Sequence, residues 1–357
     1  MKYLFIVQGE GRGHLTQAIT MEKMLLRHGH KVVGIMVGRN SDRGLPSFFE
    51  KQVKAPVSCF ETVTFVPSQK NKRPNMFRTF FHNSFLWFRF LPSIKKIRAE
   101  ILGSGADAVV NFYEAIGTFG YLSSGKKIPM ISVAHQFLFL HKDINLPEIG
   151  YEGHHALNIF SYMIAKGSSK VLALSFRKIK EDERKKIKVV PPLLREEILM
   201  VEPKDGDYIL GYIVNAGFAE EVMSWHLAHP EVKLHFFWDN KSYGDVYKVD
   251  DTLTFYYLDD KEFIRQMAGC RAYASTAGFE SICEAMYMGK PLMMVPSHIE
   301  QKCNAFDATI GGAAVASSEF DLNVLIDFAT SEFKQDMDFQ EWARSAEAII
   351  IKELENI

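Results

Sequence analysis

A chain of 357 residues is long enough for two ordinary domains, each with its own core, which excludes a small stapled scaffold. Hydrophobic residues make up 47% and charged residues 24%, the balance of a folded globular protein with little room for long disorder. A formal charge of -1, from 42 basic and 43 acidic side chains, excludes a global field that would gather nucleic acid, so any polyanion site has to be local.

The opening run MKYLFIVQGEGRGH reads as a buried first strand, because its apolar stretch is too short for a signal peptide and glycines and charges follow it. The helical spacing of LTQAITMEKMLLRHGH completes a strand, glycine-rich turn and helix, the first unit of a parallel α/β domain. KVVGIMVG is expected as a second strand and VTFVP as a shorter one; ADAVVNF and IPMISVAH are continuous apolar runs suited to a sheet covered on both faces. Helical patterning returns in HHALNIFSYMIAKGSS, and KVLALS reads as another strand. The charge cluster EDERKKIKVVPPLLREEIL holds Pro191 and Pro192, which neither continue a helix nor sit inside a sheet, so the domain boundary falls there.

Beyond that boundary the alternation restarts. DYILGYIV, KLHFFW, LTFYYL, CRAYAST and PLMMVP are expected strands, separated by helices through AEEVMSWHLAH, DKEFIRQMAGC, FESICEAMYMG and QKCNAFDATIGG. One terminal helix is expected from about Asp338 to Leu354. The expected division is 1–190, 191–338 and a terminal helix in 339–357, with two α/β domains facing each other across a cleft. Cys59, Cys270, Cys283 and Cys303 are scattered without CxxC spacing, which fits a reducing compartment. Apolar runs break well before the roughly 18 residues of a bilayer span, so a cytoplasmic location is expected.

The densest constellation is CRAYASTAGFESICEAMYMGKPLMMVPSHIEQKCNA. Its first strand ends in Ser275, Thr276, Ala277 and Gly278, and a helix starts near Phe279. Small residues there let an anion such as pyrophosphate approach the free N–H groups of the first helical turn, and Ser275 and Thr276 add hydroxyl donors. Glu280 and Glu284, four residues apart, share a helical face on which a carboxylate can receive the paired hydroxyls of a ribose. Glu300, Gln301 and Asn304, delivered at the mouth of the next strand, can read sugar hydroxyls. The plainer reading is a strand, turn and helix capped by serine and threonine; the density of polar groups at consecutive carboxyl ends of strands argues against it.

These residues, GFESICEAMYMGKP and EQKCNA above all, together with GEGRGH near the start, resemble the nucleotide-sugar glycosyltransferases of the GT-B fold, in particular the group that includes the N-acetylglucosaminyltransferase of peptidoglycan synthesis. The resemblance implies two Rossmann-like domains with parallel sheets facing across a cleft. It implies that Glu284 takes the ribose of a uridine diphosphate donor, that Ser275 to Gly278 form the diphosphate loop and that Glu300 and Gln301 read the donor sugar. By the same likeness Tyr257 and Leu258 lie over the base. The glycine and serine run expected in the first turn of the second domain is absent from YILGYIVNAG, where Gly211, Asn215, Ala216 and Gly217 offer comparable room.

In QGEGRGHLTQA the glycines, Gly11 and Gly13 included, allow close approach of domains and ligand, while no acidic residue clearly ends the next strand as a nicotinamide site would require. His14 is the first candidate for the base that deprotonates an acceptor hydroxyl, against a role in capping the loop. Glu114 and His135, at the ends of two other strands, are second candidates. The implied chemistry is displacement with inversion at the anomeric carbon, with no cofactor and no metal: the pairs Asp250–Asp251 and Asp259–Asp260 read as turns and caps. A sugar-nucleotide 2-epimerase and a non-catalytic sugar-nucleotide-binding protein are the rival readings.

Residues 70–98 carry eight lysines and arginines, seven large aromatics and no acidic residue. That mixture suits docking on an anionic membrane surface or a lipid-linked or glycan acceptor. It equally suits a helical insertion with its aromatics packed and its cations wet; a nucleic-acid partner is not expected.

Overall fold

In the computed structural model, residues 1–39, 44–63, 87–147, 151–213 and 216–357 are described. The first sheet contains β1 (Lys2–Gln8), β2 (Lys31–Arg39), β3 (Val57–Glu61), β4 (Ala108–Phe112), β5 (Met130–Ala134), β6 (Lys170–Leu174) and β7 (Ile187–Val190). They lie in the order β3-β2-β1-β4-β5-β6-β7, all parallel. The second contains β8 (Tyr208–Ile213), β9 (Lys233–Trp238), β10 (Val246–Lys248), β11 (Leu253–Tyr257), β12 (Ala272–Ser275), β13 (Leu292–Met294) and β14 (Ala314–Ala316). Their order is β10-β11-β9-β8-β12-β13-β14, with only β10 antiparallel.

The central strands are apolar on both faces because both faces are covered. In β1, Tyr3, Phe5 and Val7 enter one core while Leu4 and Ile6 enter another, the period of two that a strand imposes. β8 does the same: Leu210 packs with the first core, Ile209 and Ile213 with a separate one. Each sheet reverses its strand order once, between β1 and β4 and between β8 and β12. The carboxyl ends of those strands are where open parallel sheets form ligand crevices.

The expected strand VTFVP is not where the third strand forms. Val57–Glu61, VSCFE, pairs with β2 instead, and residues 64–67 lie outside the described residues. As an edge strand with one neighbour, β3 tolerates polar residues that a central strand would not. The segment IKVV, inside the expected boundary, is the seventh strand of the first sheet.

The expected single terminal helix is two, Met337–Arg344 and Ala346–Glu355, meeting at Ser345. They return to the first sheet. Tyr3 Oη donates to Leu354 O at 2.9 Å, Lys170 Nζ to Glu353 Oε2 at 2.7 Å and Trp342 Nε1 to Ser175 O at 3.0 Å. No described helix is long and apolar enough to cross a membrane. Most of the basic aromatic segment, residues 70–86, lies outside the described residues; beyond it Phe90 is buried and Phe88 is 80% exposed.

Candidate functional site

β12 runs out into Ser275, Thr276, Ala277 and Gly278 at the reversal point of the second sheet, and the helix Phe279–Tyr287 begins at once. The turn is sharp enough to force Ala277 to φ 59°, a left-handed conformation that disfavours any residue with a Cβ. Successive N–H groups in such a turn, leading into a helix start, form an anion-accepting concavity. Thr276 Oγ1 is fully buried and has no hydrogen-bond partner among the described residues, while the buried Ser275 Oγ lies close enough to the Tyr273 hydroxyl to favour the ionised form of that tyrosine. Buried hydroxyls are normally satisfied, so the Thr276 hydroxyl keeps a bond to offer.

Asn304, on the helix Ile299–Thr309, donates from Nδ2 to Ala277 O at 3.1 Å and so supports the turn from below. Its Oδ1 has no hydrogen-bond partner among the described residues, and neither has His135 Nε2, although Asn304 lies close enough to His135 to favour its protonated form. Gln301 is turned inward, its Oε1 accepting from Ser297 N at 2.9 Å and Ser297 Oγ at 2.7 Å. Glu284 is buried and taken by Arg195 in two bonds, Nε to Oε1 at 2.7 Å and Nη2 to Oε2 at 2.8 Å. Burial raises the carboxyl pKa of Glu284, and the Arg195 guanidinium opposes that rise.

The loop after β1 meets this region from the other sheet. Arg12 Nη2 pairs with Asp260 Oδ1 at 2.6 Å, Gln136 Nε2 donates to Glu300 Oε1 at 2.9 Å, and Gln17 Nε2 donates to Glu280 Oε1. Arg177 pairs with the buried Asp307. Gly13 eases this approach, because a Cβ there would meet the Glu280 carboxylate and push it aside. Gly11 needs no side chain for another reason: its φ of 97° is a glycine conformation. Burial pushes Glu300 up to about 7, helped by the nearby Glu280 and opposed by the bond from Gln136.

His14, in the first turn of the helix Gly13–Arg27, stacks on Tyr113 with centroids 5.7 Å apart and planes 25° apart. Its Nδ1 lies 3.2 Å from Gln17 Oε1. Burial lowers its pKa to about 4 against the opposing bond to Gln17, so the ring is neutral at pH 7. The structure thus brings His14, Gly13, Glu280, Glu284, Glu300 and the Ser275–Gly278 turn to one region between the sheets.

The other expected residues sit elsewhere or are otherwise engaged. Glu114 caps the helix Ala115–Ser123, its Oε1 accepting from Ile116 N at 2.8 Å and Thr62 Oγ1 at 2.6 Å, and burial pushes its pKa to about 7. His135 Nδ1 is 2.7 Å from Leu174 O, and its ring stacks on Phe279 at 3.9 Å; burial lowers its pKa to about 3. The room at Gly211 is filled by the Phe236 ring, so this glycine serves strand packing. Tyr257 ends β11 and Leu258 follows it, their N–H groups donating to Asp245 O at 2.8 Å and Trp238 O at 3.2 Å. Arg195, Gln17, Gln136 and Asp260 were not expected here; only Gln17, one helical turn past His14, had a readable spacing.

Among the described residues no group of three or more histidines, cysteines, aspartates or glutamates is placed to hold a metal ion. A hollow of about 630 Å³ lies at the opposite, amino-terminal ends of β8, β12 and β13, lined by Arg271, Lys290 and Gln335 among others. Lys290 there is structural, bonded to Lys204 O and Cys270 O, both at 2.7 Å. The polar cluster around the Ser275–Gly278 turn lies at the carboxyl ends of the strands, away from this wider space.

A family model described as Glycosyl transferase family 1 matches residues 1–331. No curated protein matches the chain. Among solved structures the chain is similar to the glycotransferase of kitacinnamycin, at 12% identity and TM-score 0.68, covering 99% of this chain and 98% of that one. It is similar to a UDP-glucosyltransferase from Polygonum tinctorium capable of glucosylating indoxyl, at 15% identity and TM-score 0.63, with 99% and 98% covered. It is also similar to Acinetobacter baumannii MurG, at 15% identity and TM-score 0.58, with 100% and 99% covered. At these identities the likeness bears on the fold, and the expected GT-B arrangement of two sheets flanked by helices is the one observed.

Proposed function

The chain belongs to glycosyl transferase family 1, and from that premise we propose that it is an inverting glycosyltransferase moving a sugar from a uridine diphosphate donor to an acceptor hydroxyl. The observation that carries the donor side is the buried, unpartnered hydroxyl of Thr276 next to the left-handed Ala277, with the Ser275 hydroxyl beside it. A diphosphate seated there would receive hydroxyl donors together with the N–H groups of the helix Phe279–Tyr287. The name of the Polygonum tinctorium enzyme, a UDP-glucosyltransferase, supports uridine as the nucleoside.

On this reading residues 191–338 hold the donor, 1–190 receive the acceptor and 339–357 brace the first part. Glu284 would take the ribose hydroxyls while keeping Arg195, since an ionised carboxylate has about four acceptor positions and the guanidinium uses two. Glu300 and Gln301 would read the sugar, and the ends of β11 at Tyr257 and Leu258 the base.

His14, neutral at pH 7, would accept the proton of the acceptor hydroxyl. The acceptor oxygen forms its bond to the anomeric carbon from the face opposite the diphosphate, inverting the centre. The bond to the diphosphate breaks as that one forms, and its electron pair leaves on the diphosphate oxygen. Fixed donors at Ser275 to Gly278 meet charge that grows only as the reaction proceeds, so they favour the transition state over the bound donor. With the charge met in this way, turnover is expected to survive chelation.

The acceptor side is read as a lipid-linked or glycan hydroxyl, approached at an anionic membrane surface through residues 70–98. Exposed Phe88, Lys95, Lys96 and Arg98 at the described end of that segment support it. Sedimentation with anionic vesicles at low salt tests this part.

The donor reading is tested by calorimetric titration of a panel of UDP-sugars into wild type and Glu284→Gln. Binding by one panel member, weakened about tenfold or more in the variant, is expected. No binding by any member to folded protein would sink it.

A further inference from the structure

We infer that Gln17 and Glu280 are positioning residues that hold His14 in its Nδ1–H tautomer, leaving Nε2 bare to take a proton, and that this arrangement exists only while the two sheets are together. The inference rests on the reading of His14 as the base.

The argument starts from the two unlike ends of an amide. Gln17 is 1% exposed and bonded at both ends: Nε2 donates to Glu280 Oε1, and Oε1 faces His14 Nδ1 at 3.2 Å. Burial raises the Glu280 carboxyl pKa, opposed by the bond from Gln17 and the nearby Arg195 charge; as a carboxylate it only accepts, so the end of the amide that meets it is its NH2 group. The end left for His14 is then a carbonyl oxygen, which also only accepts. Nδ1 therefore carries the hydrogen. A neutral imidazole has one N–H, so Nε2 is left with a free lone pair. Reversing the amide would set its carbonyl against the carboxylate, two acceptors face to face.

Two further observations show that the geometry is held. The ring cannot turn freely, because it stacks on Tyr113, whose hydroxyl is tied to Ser161 Oγ at 2.7 Å. The approach of Glu280 to the His14 loop is provided for by Gly13, where a Cβ would meet the carboxylate. Glu280 stands on the helix that opens the diphosphate turn, whereas His14 and Gln17 stand on the helix after β1. A base whose tautomer is set from across the cleft is poised only when the donor side is in place.

The test is long-range 1H–15N correlation on the full chain, ligand-free, with 15N-labelled histidine, the His14 signals being identified by their loss in His14→Asn. In wild type Nε2 is expected at the shift of an unprotonated nitrogen and Nδ1 at that of a protonated one. Gln17→Leu and Glu280→Leu are expected to move population toward the Nε2–H form, and Gln17→Glu combined with Glu280→Gln, which keeps an acceptor at His14 and a donor facing it, to restore Nδ1–H. An Nε2–H ring in wild type, or an unchanged tautomer in folded Gln17→Leu, overturns the inference. With a UDP-sugar that binds, Gln17→Leu should lower kcat about tenfold or more while KM stays within about twofold. If His14→Ala turns over like wild type, the base reading fails and the tautomer result stands apart from it. If His14→Ala is inactive and Gln17→Leu leaves the tautomer unchanged, only this inference fails.

Discussion

Arg195 faces Glu284 with two parallel hydrogen bonds, of 2.7 and 2.8 Å, and lies 3.6 Å from Asp260 as well. The pair joins the segment after β7 to the helix that follows the Ser275–Gly278 turn, and both side chains are shielded, 14% and 4% exposed. Removing one member leaves the other as an uncompensated buried charge. Arg195→Met is expected to destabilise the fold by about 3–5 kcal/mol, and Arg195→Met with Glu284→Gln by clearly less. Urea unfolding of wild type and the two variants measures this; equal losses in single and double variant would show that the pair carries no coupling.

Thr276→Val keeps shape and removes a buried hydroxyl that has no partner. Nothing is lost in the ligand-free protein, so the variant should be as stable as wild type or gain up to about 1 kcal/mol. A hydroxyl that meets a diphosphate contributes a bond to a charged group, so UDP-sugar affinity should fall about 10- to 100-fold. Thermal unfolding and calorimetry on the same samples read both; a loss of stability with affinity kept would return Thr276 to a structural role.

His14→Ala should leave the dissociation constant of a UDP-sugar within about twofold and lower kcat by about 10²- to 10⁴-fold, the range for loss of a general base. Burial holds the ring near pH 4, so the activity carried by His14 should persist through neutral pH and decline on acidification toward that value. A steady-state pH series shows this. Decline centred near pH 6.5 would mean that donor and acceptor relieve the burial of the ring.

Glu114 makes a separate prediction about stability. Burial lifts its pKa from 4.5 to about 7 in the folded chain, so the folded state holds that proton more tightly than the unfolded one. Its contribution is complete below pH 4.5 and is lost as pH rises through 7. Glu114→Gln cannot titrate and keeps an oxygen for Thr62 and Ile116. Its stability relative to wild type should therefore improve by up to about 3 kcal/mol between pH 4.5 and 7.5. Unfolding free energies at the two pH values test it; a difference that does not change with pH would place the Glu114 pKa near its ordinary value.

Much of the fold was legible because both sheets are written in continuous apolar strands such as YLFIV and DYILGYIV, and in the glycine-rich and small-residue turns that follow β1 and β12. Edge strands were harder. VSCFE and AVA have one neighbour each, so burial imposes a weaker pattern on them. IKVV was hidden beside charges and prolines, and the break at Ser345 leaves no glycine or proline to announce it. At the site, residue types at the end of β12 pointed to the turn. Pairings such as Gln17 with Glu280, 263 residues apart, have no local pattern to be read from. Gly211 looked like room for a ligand, but the sequence could not show that Phe236 fills it.

The helix Ala346–Glu355 closes a bond between Leu354 O and Tyr3 Oη, 351 residues away. At a synthesis rate of roughly 5–20 residues per second, the first strand waits about 20–70 s for this partner to be made. Until then the Tyr3 hydroxyl and the Lys170 ammonium lack the groups that later satisfy them, and Ile350, Ile351 and Leu354 have not yet joined the core. The half of the chain that leaves the ribosome first is therefore the half completed last, and a ribosome that stalls late would release a first sheet with an uncovered apolar face.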